Sequence, residues 1–186
     1  MTIALIIIDY QEDFCEGGAL PVKGARSLLD RINNSINYAL NKHWEIIFTR
    51  DWHPITHSSF AEYGGPWPVH CVMHSDGAKF IKGVYVPTTS TVISKGCSEE
   101  GMGYSPFENK ELVSLISEKK ISSIICCGVA LEFCVRATCI DARDAGLDVT
   151  LCEDTIASIS DGVDANKVWN EISVNGCNIV KTISDI

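Results

Sequence analysis

Six short runs rich in isoleucine and valine, separated by stretches of helical periodicity, limit the folds open to this chain more than any other feature. They are Ile3–Ile8, Glu45–Thr49, Thr91–Ser94, Ser123–Cys127, Asp148–Cys152 and Asn178–Lys181. Several are apolar throughout rather than alternating, which suits strands covered on both faces, as in a parallel sheet. Helical patterns fall between them at Ala25–His43, Asn109–Lys119, Leu131–Ala145 and Asp164–Asn175. The first aligns Leu28, Leu29, Ile32, Ile36, Ala39 and Leu40 on one stripe, and Gly146 and Gly176 supply stop signals for the last two. The alternation predicts an α/β fold in three layers: a doubly wound, mainly parallel six-stranded sheet with helices on both faces. A length of 186 residues suits one such domain, spanning 1–186, and is short for two.

Charge and cysteine usage narrow the function classes. The formal net charge is −9 and no lysine or arginine run occurs, so the chain lacks the footprint of a nucleic-acid or anionic-lipid binder. The apolar run Ile3–Ile8 has no basic leader and stops at Asp9, too short for a signal peptide or a membrane span. The nine cysteines are odd in number, contain no C-x-x-C pair and include the adjacent Cys126 and Cys127 in an apolar run. Free thiols in a reducing, cytoplasmic setting fit this better than a disulfide framework.

The polar residues of interest fall at the carboxyl ends of the strand runs, where open parallel sheets bind ligands. Asp9 ends the first run, Asp51 and His53 follow the second, Lys95 ends the third, and Cys134 lies in the first turn of the helix after the fourth. Each alone has an ordinary reading as a cap, a solvated charge or a core thiol. Together they deliver a carboxylate, an ammonium and a thiol to one rim. A helix N-terminus and a neighbouring Lys95 should lower the Cys134 pKa, Asp9 could take its proton, and backbone N–H groups at Ala130 and Cys134 could hold an oxyanion. Cys139, further along the same helix, reads as packing.

The segment from His53 to Pro87 breaks the α/β rhythm and carries four of the five histidines, and a long irregular stretch of this kind is usually functional. Asp51 and His53 share one side if the chain stays extended, so both could bind one ion, with His70 as a third ligand and positions left open. His57 and His74 are weaker candidates, and Cys71 is a thiolate alternative. Zinc, iron or manganese would suit oxygen-plus-imidazole ligands.

The ordered blocks IIIDYQEDFCEGGALPV, TRDWHPITHSSF, GPWPVHC, SKG, YSPF and GVALEFCV cover nearly the whole chain. In this order they resemble the nicotinamidase and pyrazinamidase branch of the isochorismatase-like cysteine hydrolases. The resemblance implies a catalytic triad of Asp9, Lys95 and Cys134. It also implies one divalent transition metal ion, with zinc favoured, on Asp51, His53 and His70, and His57 as a further ligand or outer partner. A ring pocket of Phe14, Trp67, Tyr104 and Val129 and a cis peptide before Ala130 follow from it too. The implied activity is hydrolysis of nicotinamide to nicotinate and ammonia through a cysteine thioester, a step of NAD salvage, with homo-oligomers compatible. The chain departs from the common pattern at Glu12, at Val72-Met73-His74-Ser75, and at Met102-Gly103, which bears on loop shape and substrate tolerance. Two rivals remain: hydrolysis of another small amide, such as a carbamoyl or ureido compound, and a metal or thiol sensor without turnover.

Overall fold

The computed structural model describes residues 2–160 and 162–186. Its strands are β1 (Thr2–Ile8), β2 (Glu45–Asp51), β3 (Thr91–Lys95), β4 (Ile121–Gly128), β5 (Asp148–Ile156) and β6 (Asn178–Val180). They form one sheet in the order β3-β2-β1-β4-β5-β6, with every pairing parallel. Each predicted strand is present, and the sheet is wholly rather than mainly parallel. The order reverses between β1 and β4, which opens a crevice at the carboxyl ends of those two strands.

Successive residues of the central strands feed opposite cores, as strand geometry requires. Leu5, Ile7, Phe48, Ile125 and Cys127 join one core, while Ala4, Ile6, Ile8, Ile47, Ile124 and Cys126 join the other. The first core is covered by helix α1 (Leu29–Asn41), through Ile32, Ile36 and Ala39, and by Cys71, Ala78 and Ile81 of the irregular segment. The second is covered by α2 (Lys110–Glu118), α3 (Arg136–Asp144) and α4 (Val163–Val174), through Leu112, Cys139, Ala142 and Ile172. This division follows from the right-handedness of parallel crossovers: connections that step one way along the sheet take one face, and those that step back take the other. Burying each large aliphatic side chain contributes about 1.5–3 kcal/mol, so these stripes anchor the helices far more strongly than propensity does.

Two helix starts differ from the sequence pattern. A 3-10 turn at Ala25–Leu28, entered from the left-handed Gly24, precedes α1. The segment Leu131–Val135, expected to be ordinary α-helix, is a π turn leading into α3. Among the described residues no helix is long and apolar enough to cross a membrane.

Candidate active site

Strand register builds the thiol side of the site. Asp51 lies directly opposite Lys95 in the β2–β3 pairing, and Ile8 lies opposite Gly128 in the β1–β4 pairing, so Asp9 and the turn after β4 face each other across the crevice. Gly128 has φ +118, and a Cβ there would stand 2.1 Å from the Ile8 carbonyl oxygen, so only glycine allows β4 to turn so close to β1. Asp9 itself adopts φ +47, which costs a non-glycine residue roughly 1–2 kcal/mol, and Gln11 N–H closes that turn on the Asp9 carbonyl at 2.8 Å. The bend aims the Asp9 carboxylate inward, where Thr49 Oγ1 donates to Oδ1 at 2.7 Å.

Lys95 Nζ is the hub. It lies 2.5 Å from Asp51 Oδ1, 2.8 Å from the Gly103 carbonyl, 2.8 Å from Asp9 Oδ2 and 3.4 Å from Cys134 Sγ. An ammonium has three protons for these four acceptors. The ammonium therefore shares its protons among Asp51, Gly103, Cys134 and the Asp9 carboxylate, whose Oδ2 keeps a lone pair that can accept a proton. All four side chains are buried. Burial raises the Asp9 pKa, with Lys95 offsetting it in part and Asp51 adding to it. The Cys134 thiol corrects the sequence expectation. Burial and the carboxylates of Asp9 and Asp51 outweigh Lys95, so the thiol titrates well above its usual range instead of below it. The resting sulfur therefore carries its proton, and a base beside it becomes a requirement.

The second group of ligating atoms shares Asp51. Its Oδ2 lies 3.5 Å from His53 Nε2 and 3.8 Å from His70 Nε2, and all three side chains are buried. His53 Nδ1 meets the Gly96 carbonyl at 2.9 Å and His70 Nδ1 meets the Pro68 carbonyl at 2.8 Å. A carbonyl only accepts, so each ring donates from Nδ1 and turns Nε2 toward Asp51. Two imidazoles and a carboxylate, their ligand atoms within 4.8 Å of one another, are the donor set of a divalent metal, so the residues fit such an ion. Gly96 makes this close fit: a Cβ on it would sit 2.3 Å from His53 Cε1.

His57 stands outside that trio. Its ring packs on His53 with centroids 4.1 Å apart, Nδ1 meets Ser59 Oγ at 2.6 Å, and Nε2 is buried without a partner. His74 is exposed, with its ring edge on Trp52, and Cys71 is buried with its sulfur 4.0 Å from the Gly77 carbonyl; neither joins the cluster.

Beside both groups lies a narrow cavity of about 30 Å³, lined by Phe14, Leu20, Val22, Trp67, Met102, Tyr104, Phe133 and Ile159, with Asp51, Ser59, His70, Ala130 and Cys134 at its polar end. Trp67 Nε1 donates to the Tyr104 hydroxyl at 3.0 Å, and Phe133 meets the Trp67 ring edge-on with centroids 4.8 Å apart. Phe14, Trp67 and Tyr104 are thus brought together on the walls of this cavity. Val129 does not line the cavity: its side chain is packed in the core, because the residue faces inward from the end of β4. The peptide bond that joins it to Ala130 is cis, as expected.

Sequence reasoning missed several contributors. Thr49 was read only as the end of a strand run, although a hydroxyl in a buried strand is a signal. Gln11 donates to the carbonyls of Asp51 and Ala78 and accepts from Asp51 N–H, so it pins the strand end that carries Asp51. Phe133, next to Cys134 in the chain, closes the aromatic wall. Glu12, one of the departures, accepts from Lys82 N–H at 2.7 Å and pairs with Arg26 at 2.7 Å, which shapes the loop on the far side of Phe14.

Comparison with known proteins gives a consistent result. The Isochorismatase domain family matches residues 3–183. A nicotinamidase/pyrazinamidase of Mycobacterium tuberculosis is 33% identical, over 84% of this chain and 87% of its own length. The crystal structure of the pyrazinamidase of Pyrococcus horikoshii in complex with zinc superposes with a TM-score of 0.93 at 39% identity, covering 97% of this chain and 99% of that one. The crystal structure of PnC1 from L. infantum in complex with nicotinate gives 0.88 at 38% identity, covering 97% and 92%.

Proposed function

The chain belongs to the isochorismatase family, and on that premise we propose that it hydrolyses nicotinamide to nicotinate and ammonia through a thioester on Cys134. The observation that carries this reading is the convergence of Asp9, Lys95 and Cys134 at the end of a cavity whose other walls are aromatic. A planar heterocyclic amide suits such walls. Among the described residues no lysine or arginine stands in the aromatic walls of the cavity, whose lining suits an uncharged ring.

Asp9 Oδ2 takes the Cys134 proton as the sulfur attacks the amide carbon and the C–S bond forms. Its raised pKa makes it a better proton acceptor than an ordinary carboxylate. Backbone N–H groups of Ala130 and Cys134 receive the oxyanion, a contribution on the order of a hundredfold per donor. The C–N bond then breaks, and ammonia leaves with the proton that Asp9 returns. Water adds to the thioester with Asp9 again as base, the C–S bond breaks, and acid and thiol are restored. Lys95 keeps two buried carboxylates and the sulfur within reach of one another through both halves.

Asp51, His53 and His70 would hold the metal ion. When bound it supplies a fixed positive charge and a Lewis acid at the polar end of the cavity. Zinc is the ion we favour, because two imidazoles and a carboxylate suit it and the Pyrococcus horikoshii relative contains it.

Ammonia release from nicotinamide, measured before and after chelation and again after zinc is returned, tests the reading. Turnover that falls on chelation and recovers is expected. No turnover by metal-replete protein would overturn it.

A further inference from the structure

The mouth of the cavity is tied to the turn that carries the proposed nucleophile by a single side chain with no role in the scheme above. Glu132 lies two residues before Cys134 in the π turn. Its Oε1 accepts from Ser158 Oγ at 2.5 Å and from Ser160 N–H at 2.7 Å, and its Oε2 accepts from Ile159 N–H at 3.0 Å. Beside it, Leu131 N–H donates to the Ala157 carbonyl at 2.9 Å. The whole segment from Ala157 to Ser160, which follows β5, thus hangs from the Leu131-Glu132 dipeptide.

That segment matters because it carries Ile159, which lines the cavity and is 42% exposed, so it stands at the rim rather than the floor. The opposite rim is Met102, 37% exposed and set between Gly101 and Gly103, both in the left-handed region. A ring that enters the cavity passes between these rim residues. On the Met102 side the backbone is tied by neutral carbonyls, Gly103 to Lys95 Nζ at 2.8 Å and Gly101 to Ser58 Oγ at 3.2 Å. On the Ile159 side three hydrogen bonds converge on one carboxylate, and charge-assisted bonds of this kind are roughly twice as strong as neutral ones.

We infer that Glu132 is a positioning residue that determines specificity: it holds Ile159 as the fixed wall of the mouth, in register with Cys134, and so excludes aromatic amides with bulky ring substituents. The inference rests on the proposed amidase reading and deepens it. Glutamine in place of Glu132 offers one accepting oxygen instead of two, so at least one arm of the clasp is lost with the side-chain size kept.

The test compares kcat and KM of wild type, Glu132→Gln, Ile159→Ala and the double variant, on nicotinamide and on a ring-methylated nicotinamide. For Glu132→Gln, KM for nicotinamide should rise by about tenfold with kcat changed less than about threefold, and the preference for nicotinamide over its methylated analogue should fall by about tenfold. In the Ile159→Ala background, Glu132→Gln should give no further loss of preference, because the wall it positions is gone. A purely structural Glu132 would lower Tm and leave KM and the preference where they were, which would overturn the inference. Should Glu132→Gln fail to fold, Ser158→Ala removes the hydroxyl arm, together with its contact to the Ser160 carbonyl, and should shift the preference the same way by a smaller factor; an unchanged preference there overturns it too. No turnover of nicotinamide by the wild type sinks the amidase reading, whereas turnover with an unaltered Glu132→Gln sinks this inference alone.

Discussion

The thiol end of the site and its imidazole end share Asp51 but are held in place by different forces. Asp9, Asp51 and Lys95 sit on neighbouring strand ends of one parallel sheet, so their spacing is set by the ladder itself, with Asp51 opposite Lys95. His53 and His70 leave the sheet. Their rings are fixed by the carbonyls of Gly96 and Pro68 and by packing among Phe14, Phe60 and His57. The contrast implies that the chemistry is rigidly framed, while the metal site is held by local bonds that single substitutions can loosen. Moving Asp9, Asp51 or Lys95 would mean shearing a sheet; moving either imidazole means breaking its own carbonyl bond and ring packing.

The largest effect expected is a clean separation of the two ends. Cys134→Ala should lower kcat for nicotinamide by at least about 10⁴-fold, as loss of a nucleophile does, and yet retain stoichiometric metal by elemental analysis. Metal loss in that variant would show that the two ends are one unit after all.

Gly96→Ala probes the reverse direction. Its Cβ would collide with the His53 ring. Because a ligand's outer partner typically governs ten- to a hundredfold of metal affinity, zinc binding should weaken by about that factor, while Cys134 still reacts with an alkylating agent at the wild-type rate. Unchanged zinc affinity in a competition titration would mean that the Gly96 carbonyl does not hold His53.

Acid should loosen the imidazole end first. Burial, with a smaller contribution from the neighbouring His53, lowers the His57 pKa to about 4 from an ordinary 6.5, and burial also lowers that of His70. The folded values lie below the unfolded ones, so the fold prefers the neutral rings. Their contribution is complete above about pH 6.5 and is lost as pH falls toward 4, with His57 accounting for at most about 3 kcal/mol. Metal-stripped protein should therefore melt at lower temperature at pH 4.5 than at pH 7, and His57→Gln should flatten that slope. Equal slopes in both proteins would remove His57 from the account.

The smallest effect concerns the wall common to both ends. Trp67→Phe keeps the aromatic face but removes the bond to the Tyr104 hydroxyl, so KM should rise by about fivefold with kcat nearly unchanged. A large fall in kcat would instead place Trp67 in the chemistry.

Much of this was legible in the residues themselves. Apolar runs of strand length between amphipathic stretches specify a parallel α/β sheet, because only that arrangement buries both faces of each strand. Polar residues that end such runs must then lie on one rim, which is why Asp9, Asp51, Lys95 and Cys134 could be named together before any coordinates. What the chain order alone could not decide is how charges behave once brought together. The thiol pKa reversed its expected direction because burial and two carboxylates act on Cys134 at once, and burial is a property of the packed molecule. Val129 turned into the core, Phe133 into the cavity, and Glu132 took up the loop that follows the neighbouring strand β5, each through contacts between residues distant in sequence. Local pattern determines which elements form and which ends they present; the number of partners a buried group meets is decided only when those elements pack.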